Sequence, residues 1–240
     1  MRRDGRPVPR LFVEGPLVKN ESAELTRDQQ HYLSRVMRLK QGDAVRLFNG
    51  ADGEWLAELE GQGARCMERL RPQAARSDVW LLFAPPKKDR LRFLVEKATE
   101  LGATRLIPLT TERTEPPETR PGKLTDWAIE AAEQCGRLDV PVCTSQVGLD
   151  AAMELWRDSR PLFFCDEAGG TPVLRALEGA GKAIAFLIGP EGGFSEAERQ
   201  ALVSKPWVAP VSLGPHILRV ETAAIAALAS WQALRTGDRV

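Results

Sequence analysis

In the stretch FLIGPEGGFSEAE (186–198) an apolar run ends at Gly189, and Pro190 and Glu191 lead into Gly192 and Gly193. Ser195 has the type of a helix N-cap, and Glu198, three residues on, completes a capping box. A strand–turn–helix junction with glycines at positive φ accounts for Gly192 and Gly193. It does not account for an acid beside two glycines at the end of a buried strand, the edge at which open α/β sheets bind ligands. The stretch lacks the G-K-[ST] ending of a phosphate loop and the G-x-G-x-x-G of a dinucleotide fold. A nucleoside held through main-chain groups therefore fits better than a polyphosphate.

A second stretch, VSLGPHILRVETAA (211–224), follows the same logic. A strand ends at Leu213 and Gly214, a loop carries Pro215, His216 and Ile217, and an Ala-rich helix follows Arg219 and Glu221. Two glycine-ended strands so near in sequence predict one shared pocket between loops 189–193 and 213–218. Its expected ligand-facing residues are Leu187, Ile188, Gly189, Pro190, Gly192, Leu213, Gly214, Ile217, Leu218 and Thr222. A plain strand–loop–helix unit, with Arg219 paired to an acid, is the simpler alternative. Hydrogen bonding or space filling is the default for His216 and for His31.

The elements that must position these loops alternate strand and helix. VWLLFAPP is a continuous apolar run of the buried parallel-strand kind. DRLRFLVEKATELG has helical spacing and a glycine stop. RLIPLTT, VPVCTSQ, PLFFCDE, AIAFLIG and WVAPVSLG read as strands; KLTDWAIEAAEQCGR, DAAMELWRD, PVLRALEG and RVETAAIAALASWQALR read as helices. This is an open, mostly parallel α/β sheet. The chain before it has another texture. RLFVEG is a strand, TRDQQHYLSRVMRL a short amphipathic helix with a Thr26/Gln29 capping box, and DAVRLFNG, GEWLAELEG and ARCMERLRP are alternating runs joined at Asn49-Gly50, Asp52-Gly53, Gly61 and Gly63. Short strands with tight turns predict a small barrel or sandwich. The segment 71–78 has no apolar periodicity and reads as a linker. The scattered tryptophans, Trp55, Trp80, Trp127, Trp156 and Trp231 among them, read as core packing.

The chain has 240 residues, of which 43% are apolar and 28% charged, enough for one large or two ordinary domains. Lys plus Arg (33) equals Asp plus Glu (33), so a nucleic-acid partner must be met by a local patch and not by a global field. Residues 1–76 carry 14 basic and 11 acidic side chains, and 77–240 carry 19 and 22. Arg35, Arg38 and Lys40 cluster at the end of the first helix. They are either a solvated terminus that suits the helix dipole or a phosphate-binding patch. MRRDGRPVPR has no apolar core of a secretory signal, and no run of about 18 apolar residues occurs. Cys66, Cys135, Cys143 and Cys165 form no C-x-x-C pair and only two histidines are present, which excludes a zinc site of usual spacing and fits a reducing cytoplasm.

GPEGGFSEAE followed by LGPHILRVETAA resembles the C-terminal signature of the SPOUT methyltransferases. HYLSRVMRLKQGD, FNGADGEW, KKDRLRFLVEKATELGATRLIPL, TERT and IEAAEQCGR-x-x-VP narrow the likeness to the bacterial ribosomal RNA small subunit methyltransferase E family, which methylates N3 of a uridine in 16S ribosomal RNA. The likeness runs from about residue 10 to about 235. Met37 stands where a leucine is usual, and EPPETRPGKLTDW (115–127) is atypical. The resemblance implies a PUA-like β-barrel for RNA over 1–72 and a SPOUT α/β domain over 73–240 with a C-terminal trefoil knot. It further implies S-adenosylmethionine as methyl donor without a metal, 16S rRNA of the small subunit as partner, a homodimer, a cytoplasmic location and no membrane. Arg10, Arg35, Arg38 and Lys40 are then the expected RNA contacts, and Gln134 and Arg137 gain a chance of lining the RNA side.

Methyl transfer from a sulfonium is an in-line displacement, so the protein must position two partners and help the uracil lose its N3 proton. Arg113, Glu191 and Arg219 are the catalytic candidates, with Glu221 beside them. Either guanidinium could hold a uracil oxygen or a phosphate; the residues alone leave the base open between Glu191 and Glu221. A nucleotide-binding regulator without catalysis and an RNA-binding assembly factor are the alternatives, the latter having no need of both glycine loops. Limited proteolysis should cut within 71–78 first; first cuts elsewhere in the chain would refute that boundary.

Overall fold

The computed structural model of the protein describes residues 2–3, 6–74, 77–114, 119–154, 156 and 160–235. Residues 75–76 of the expected linker and 115–118 of the atypical segment lie outside the described residues. The chain divides into two compact units, Met1–Ala75 with Ala132–Val140, and Arg76–Ala131 with Pro141–Val240.

In the first unit β1 (Arg2–Arg3) pairs with β2 (Arg6–Pro7). The main sheet contains β3 (Arg10–Phe12), β4 (Ser22–Glu24), β5 (Ala44–Phe48), β6 (Glu54–Glu60) and β7 (Gly63–Arg71), in the order β3-β5-β6-β7-β4. That path does not close among the described residues, so the small barrel or sandwich expected from the tight turns takes the form of a half-barrel. β4 went unread because only Ala23 of its three residues is buried, too little for a period-2 signal. Gly53 ends the β5–β6 connection at φ +86°, and a Cβ there would sit 2.1 Å from the Arg71 carbonyl oxygen, so only glycine fits. The expected helix starts as α1 (Arg27–His31) under the Thr26/Gln29 capping box. It then widens to a π-helical turn, Tyr32–Val36, which keeps Leu33 buried, and leads to Arg38 at φ +56°. π turns and non-glycine residues at positive φ concentrate where function sets the geometry.

Leu11, Leu33, Val45, Leu47 and Ala57 form the apolar core of this unit. Beside it lies Glu54, 2% exposed. Its carboxylate accepts from Arg10 Nε at 2.5 Å and from Arg71 Nε at 2.9 Å. The rest of the Arg10 guanidinium donates to the carbonyls of Ala132, Glu133 and Arg137, each at 2.8 Å, and its plane lies 4.5 Å from the Phe48 ring centroid. Burial pushes the Glu54 carboxyl up, and the two guanidiniums outweigh it, holding it below its ordinary value.

The second unit contains β8 (Asp78–Phe83), α2 (Lys88–Glu100), β9 (Arg105–Thr110), α3 (Pro121–Cys135), β10 (Val142–Cys143), β11 (Val147–Gly148) and α4 (Leu149–Glu154). It continues with β12 (Leu162–Cys165), β13 (Thr171–Pro172), α5 (Val173–Leu177), β14 (Ala183–Ile188), α6 (Glu196–Val203), β15 (Val208–Ser212) and α7 (Val220–Arg235). The strand order is β10-β9-β8-β14-β12-β15-β13, with β11 also on β9, and the pairings are parallel. The central strands are buried on both faces, which is why they read as unbroken apolar runs. VPVCTSQ yields only the two residues of β10 because it sits at the sheet edge, with Val142 exposed. Ala223, Ala224 and Ala227 of α7 are buried, as close helix packing requires. No helix among the described residues is long and apolar enough to cross a membrane.

The start of this sheet is closed by aromatic and charged packing. Trp156 stacks on Trp207 at 5.2 Å, Arg160 lies 3.6 Å from the Trp80 ring centroid, and Arg160 pairs with Asp78 at 2.7 Å. Burial raises the Asp78 carboxyl, and Arg160 and Thr104 more than reverse it. The ligand edge is thus left at the other ends of the strands.

Glu54 makes a testable contribution. A carboxyl held low stabilises the fold at pH above its unfolded value, ordinarily 4.5, and that share is lost as pH falls through the folded value. Glu54→Gln leaves Arg10 buried without its counter-charge and should lower stability at pH 7 by about 3–5 kcal/mol. Urea unfolding at pH 7 and pH 3 checks this: the gap between parent and variant should shrink in acid, and an equal gap at both would be the wrong outcome.

Candidate active site

β12 lies between β14 and β15, so the carboxyl ends of three parallel strands open side by side. A cavity of about 280 Å³ occupies this edge. Ile188, Gly189 and Pro190 from the end of β14 and Leu213, Gly214, Ile217 and Leu218 from the loop after β15 line it together. The sequence reading missed the third wall, Cys165, Asp166 and Glu167 at the end of β12, because nothing in PLFFCDE marks it as the middle strand. Phe194, Ser212, Val220 and Ala223 also escaped it; His216 is on the wall and exposed. Asp166 accepts from Arg199 Nε at 2.8 Å and from the Ala168 amide at 3.0 Å. Burial pushes the Cys165 thiol far up, which makes it a neutral wall and not a nucleophile.

Gly189 is required by contact and Gly193 by its backbone conformation. A Cβ on Gly189 would meet the Phe194 ring at 2.6 Å. A Cβ on Gly193, at φ +67°, would meet Glu167 Oε1 at 2.2 Å, so this carboxylate lies directly over the main chain. Gly192 differs from its expected role: its φ is not positive, its nearest neighbours are Arg113 carbons at 3.7 Å, and it lines a second cavity. Leu187 is also displaced from the expected wall. Strand alternation turns it away from the face of Ile188, into the core with Leu82 and Phe164. Thr222 points to solvent, because the helical repeat gives the wall to Val220 and Ala223.

The second cavity, about 630 Å³, is lined by Pro85, Pro86 and Lys87, by Glu112, Arg113 and Thr114, and by Pro190, Glu191, Gly192 and Val220. It shares Pro190 and Val220 with the first. The TERT turn is fixed from inside: the Thr111 amide donates to Thr114 Oγ1 at 2.9 Å, and the two hydroxyls meet at 2.8 Å. It is docked from outside by the Glu112 amide on Glu198 Oε1 at 2.8 Å and by Arg113 Nη1 on the Gly192 carbonyl at 2.9 Å. Glu198 and Ser195 form the expected capping box of α6. Glu191 pairs with Arg90, whose Nε also lies 3.8 Å from Glu221. Glu221 is 8% exposed, and its Oε2 has no hydrogen-bond partner among the described residues. Arg113 and Glu191 are thereby brought to one cavity. Arg219 is exposed at the entry to α7 and lines neither cavity.

In the first unit Arg35, Arg38 and Lys40 are exposed. Arg10 is not available to RNA in the same way, since its side chain is 10% exposed and is held by Glu54 and three carbonyls. Gln134 is exposed, and Arg137 pairs with Asp139 at 2.8 Å.

Residues 73–232 match the model of an RNA methyltransferase domain, and residues 25–64 that of an RNA methyltransferase PUA domain. The chain is 34% identical over 229 residues to ribosomal RNA small subunit methyltransferase E of Rickettsia conorii, covering 92% of this chain and 93% of that protein. It is 27% identical to the protein of the same name from Bacillus subtilis, with 93% and 95% covered. Among solved structures it resembles ribosomal RNA small subunit methyltransferase E of Neisseria gonorrhoeae bound to S-adenosyl methionine, with a TM-score of 0.82, 28% identity and 95% and 98% of the two chains covered. With a family model over most of its length and a relative above 30% identity over nearly all of it, the chain belongs to the ribosomal RNA small subunit methyltransferase E family.

Proposed function

We propose that this protein transfers a methyl group from S-adenosylmethionine to N3 of a uridine in 16S ribosomal RNA of the small subunit. The observation that carries this reading is the cavity at the carboxyl ends of β12, β14 and β15, with a second cavity adjoining it. The residues present fit the donor. Ile188, Leu213, Leu218 and Ala223 offer apolar surface to an adenine, Gly189 and Gly193 open the main chain, and Glu167 and Glu196 put negative charge on the wall of a site that would take a cation. Bound S-adenosylmethionine supplies a methyl group on a positively charged sulfur.

The residues walling the first cavity would hold that donor, whose carbon–sulfur electron pair would stay on sulfur as N3 takes the methyl group, and the N3 proton would pass to a carboxylate, here Glu191 on the wall of the second cavity. The work of the chain is to hold the two partners in line and to favour the uracil anion. That Arg113 and Glu191 both line the second cavity supports assigning this work to them. Arg219, exposed beside the loop, suits the RNA strand next to the target better than the base itself. The finer features of the reading are a C-terminal trefoil knot, a homodimer and a cytoplasmic location, with 1–72 serving RNA and 73–240 the chemistry. Ile217, 82% exposed on the cavity loop, supports a second copy covering that loop. The direct test is mass mapping of 16S RNA from a deletion strain: the N3-methyluridine should vanish and return with this gene. A regulator would bind the donor without restoring the mark.

Donor binding should depend on Gly193 and not on Gly192. Gly193→Ala combines a left-handed φ with a carboxylate at 2.2 Å, and should weaken S-adenosylmethionine binding about tenfold or more by calorimetry. Gly192→Ala meets only ordinary contacts and should stay within about twofold. The reverse order would move the donor to the second cavity.

RNA binding should depend on the exposed cations of the first unit. Replacing Arg35, Arg38 and Lys40 together by Ala should flatten the dependence of log affinity on log salt by about 0.7–0.9 per lost phosphate contact, with donor affinity unchanged. A triple variant with the parent's slope would remove these residues from the RNA surface.

A further inference from the structure

Resting on the donor-and-acceptor reading above, we propose that Arg90 is a positioning residue. Its one guanidinium holds Glu191 and Glu221 together and so fixes the partition between the two cavities.

The role follows from sequence neighbours. Pro190 and Val220 are the residues that wall both cavities. Each is followed directly by an acid, Pro190 by Glu191 and Val220 by Glu221. Arg90, in the first turn of α2, pairs with Glu191 through Nη1, and its Nε lies 3.8 Å from Glu221 Oε1. A hold on the two acids is therefore a hold on the two shared walls. The glycine loop passes it on, since the Gly193 amide donates to the Pro190 carbonyl at 2.9 Å. Glu221 stands in the first turn of α7 with Val220. Arg113 grips the same loop at Gly192, but that bond ties it to the TERT turn, whereas Arg90 ties it to α7.

The base of this clamp is rigid. α2 packs against α7, and Leu91, beside Arg90, is buried. The segment that leads into α2 is anchored by the Ala84 amide on the Ile188 carbonyl at 3.0 Å, at the end of β14. The two acids need the cation for different reasons. Glu221 is buried and its Oε2 is unanswered among the described residues, so removing the neighbouring cation leaves a buried charge uncompensated. Glu191 is exposed, and an exposed pair adds little stability; what this pair supplies is position. A planar guanidinium fork can address two carboxylates at once, which a point ammonium on a flexible stem does not. Misplacement by about an ångström costs an in-line transfer on the order of 100-fold. Loosening the partition should therefore cost rate and not donor affinity.

The test compares Arg90→Gln, Arg90→Lys and the double variant Arg90→Gln/Glu221→Gln in the full chain. The readouts are calorimetry with S-adenosylhomocysteine, thermal unfolding, and the single-turnover rate on saturating small ribosomal subunits from a deletion strain. Arg90→Gln should lower the rate about 100-fold and leave S-adenosylhomocysteine affinity within about threefold. Arg90→Lys should keep the parent's melting temperature, because it still neutralises Glu221, while its rate stays at least about tenfold below the parent's. The double variant leaves no buried charge unpaired, so it should melt like the parent and turn over as slowly as Arg90→Gln; it carries the test where the single variant folds poorly. A parent-like rate in the double variant, full recovery of rate with lysine, or a loss of donor affinity equal to the loss of rate would overturn the proposal. If the parent binds S-adenosylhomocysteine and methylates the subunits, and the variants match it, the clamp is wrong and the donor-and-acceptor reading stands. If the parent fails at either, that reading falls and the clamp with it.

Discussion

One carboxylate holds the candidate site together. Glu198 Oε2 accepts from the Ser195 amide and closes the capping box of α6, while Oε1 accepts from the Glu112 amide. A capping glutamate ordinarily satisfies its own helix and has one oxygen to spare. Here the spare oxygen fixes the TERT turn against the loop that leads into the helix. Arg113 then reaches the Gly192 carbonyl, and the wall of the second cavity is set. The glycine loop, the turn after β9 and the start of α6 are thus one hydrogen-bonded assembly. Preorganisation of this kind is what an in-line transfer demands, because misplacement by an ångström is enough to lose most of the advantage of proximity.

The sheet beneath supplies the rigidity. β8, β12 and β14 are buried on both faces, and the Trp80, Trp156 and Trp207 group with Arg160 closes their starting ends. Polar loops can therefore gather only at the carboxyl ends. Phe194 shows how closely packing and site are joined. Its ring packs edge-on against Phe164 at 5.2 Å and fills the space where a Gly189 side chain would be. The glycine that opens the main chain to a ligand is the same one that lets an aromatic ring lock the loop.

Much of this arrangement was legible in the residues. Capping boxes at Thr26/Gln29 and Ser195/Glu198 are local signals and appear as read. Unbroken apolar runs marked β8 and β14 because both faces of those strands are covered. What escaped was set by tertiary placement. Nothing in PLFFCDE says that β12 lies between β14 and β15, so Cys165, Asp166 and Glu167 were not assigned to the wall. Leu187 and Thr222 were assigned to it by proximity in sequence, although the periods of strand and helix turn them away. The resemblance sets Arg10 among the RNA contacts; its partner, Glu54, is 44 residues distant in sequence and could be paired with it only by the sheet. The π-helical turn at 32–36 has no sequence signature comparable to a capping box.

The charge pattern completes the argument. With equal numbers of acidic and basic side chains, the chain has no long-range pull on a polyanion. The small excess of basic residues lies before residue 77 and the small excess of acidic ones after it. An acidic environment suits a cationic methyl donor and disfavours indiscriminate phosphate binding near the reacting atoms. A basic patch at Arg35, Arg38 and Lys40, presented by a π turn and a left-handed Arg38, suits sequence-independent contact with a strand. On the proposed reading, affinity for RNA rests on the exposed cations Arg35, Arg38 and Lys40, and handling of the methyl group on a cavity wall that carries acids instead.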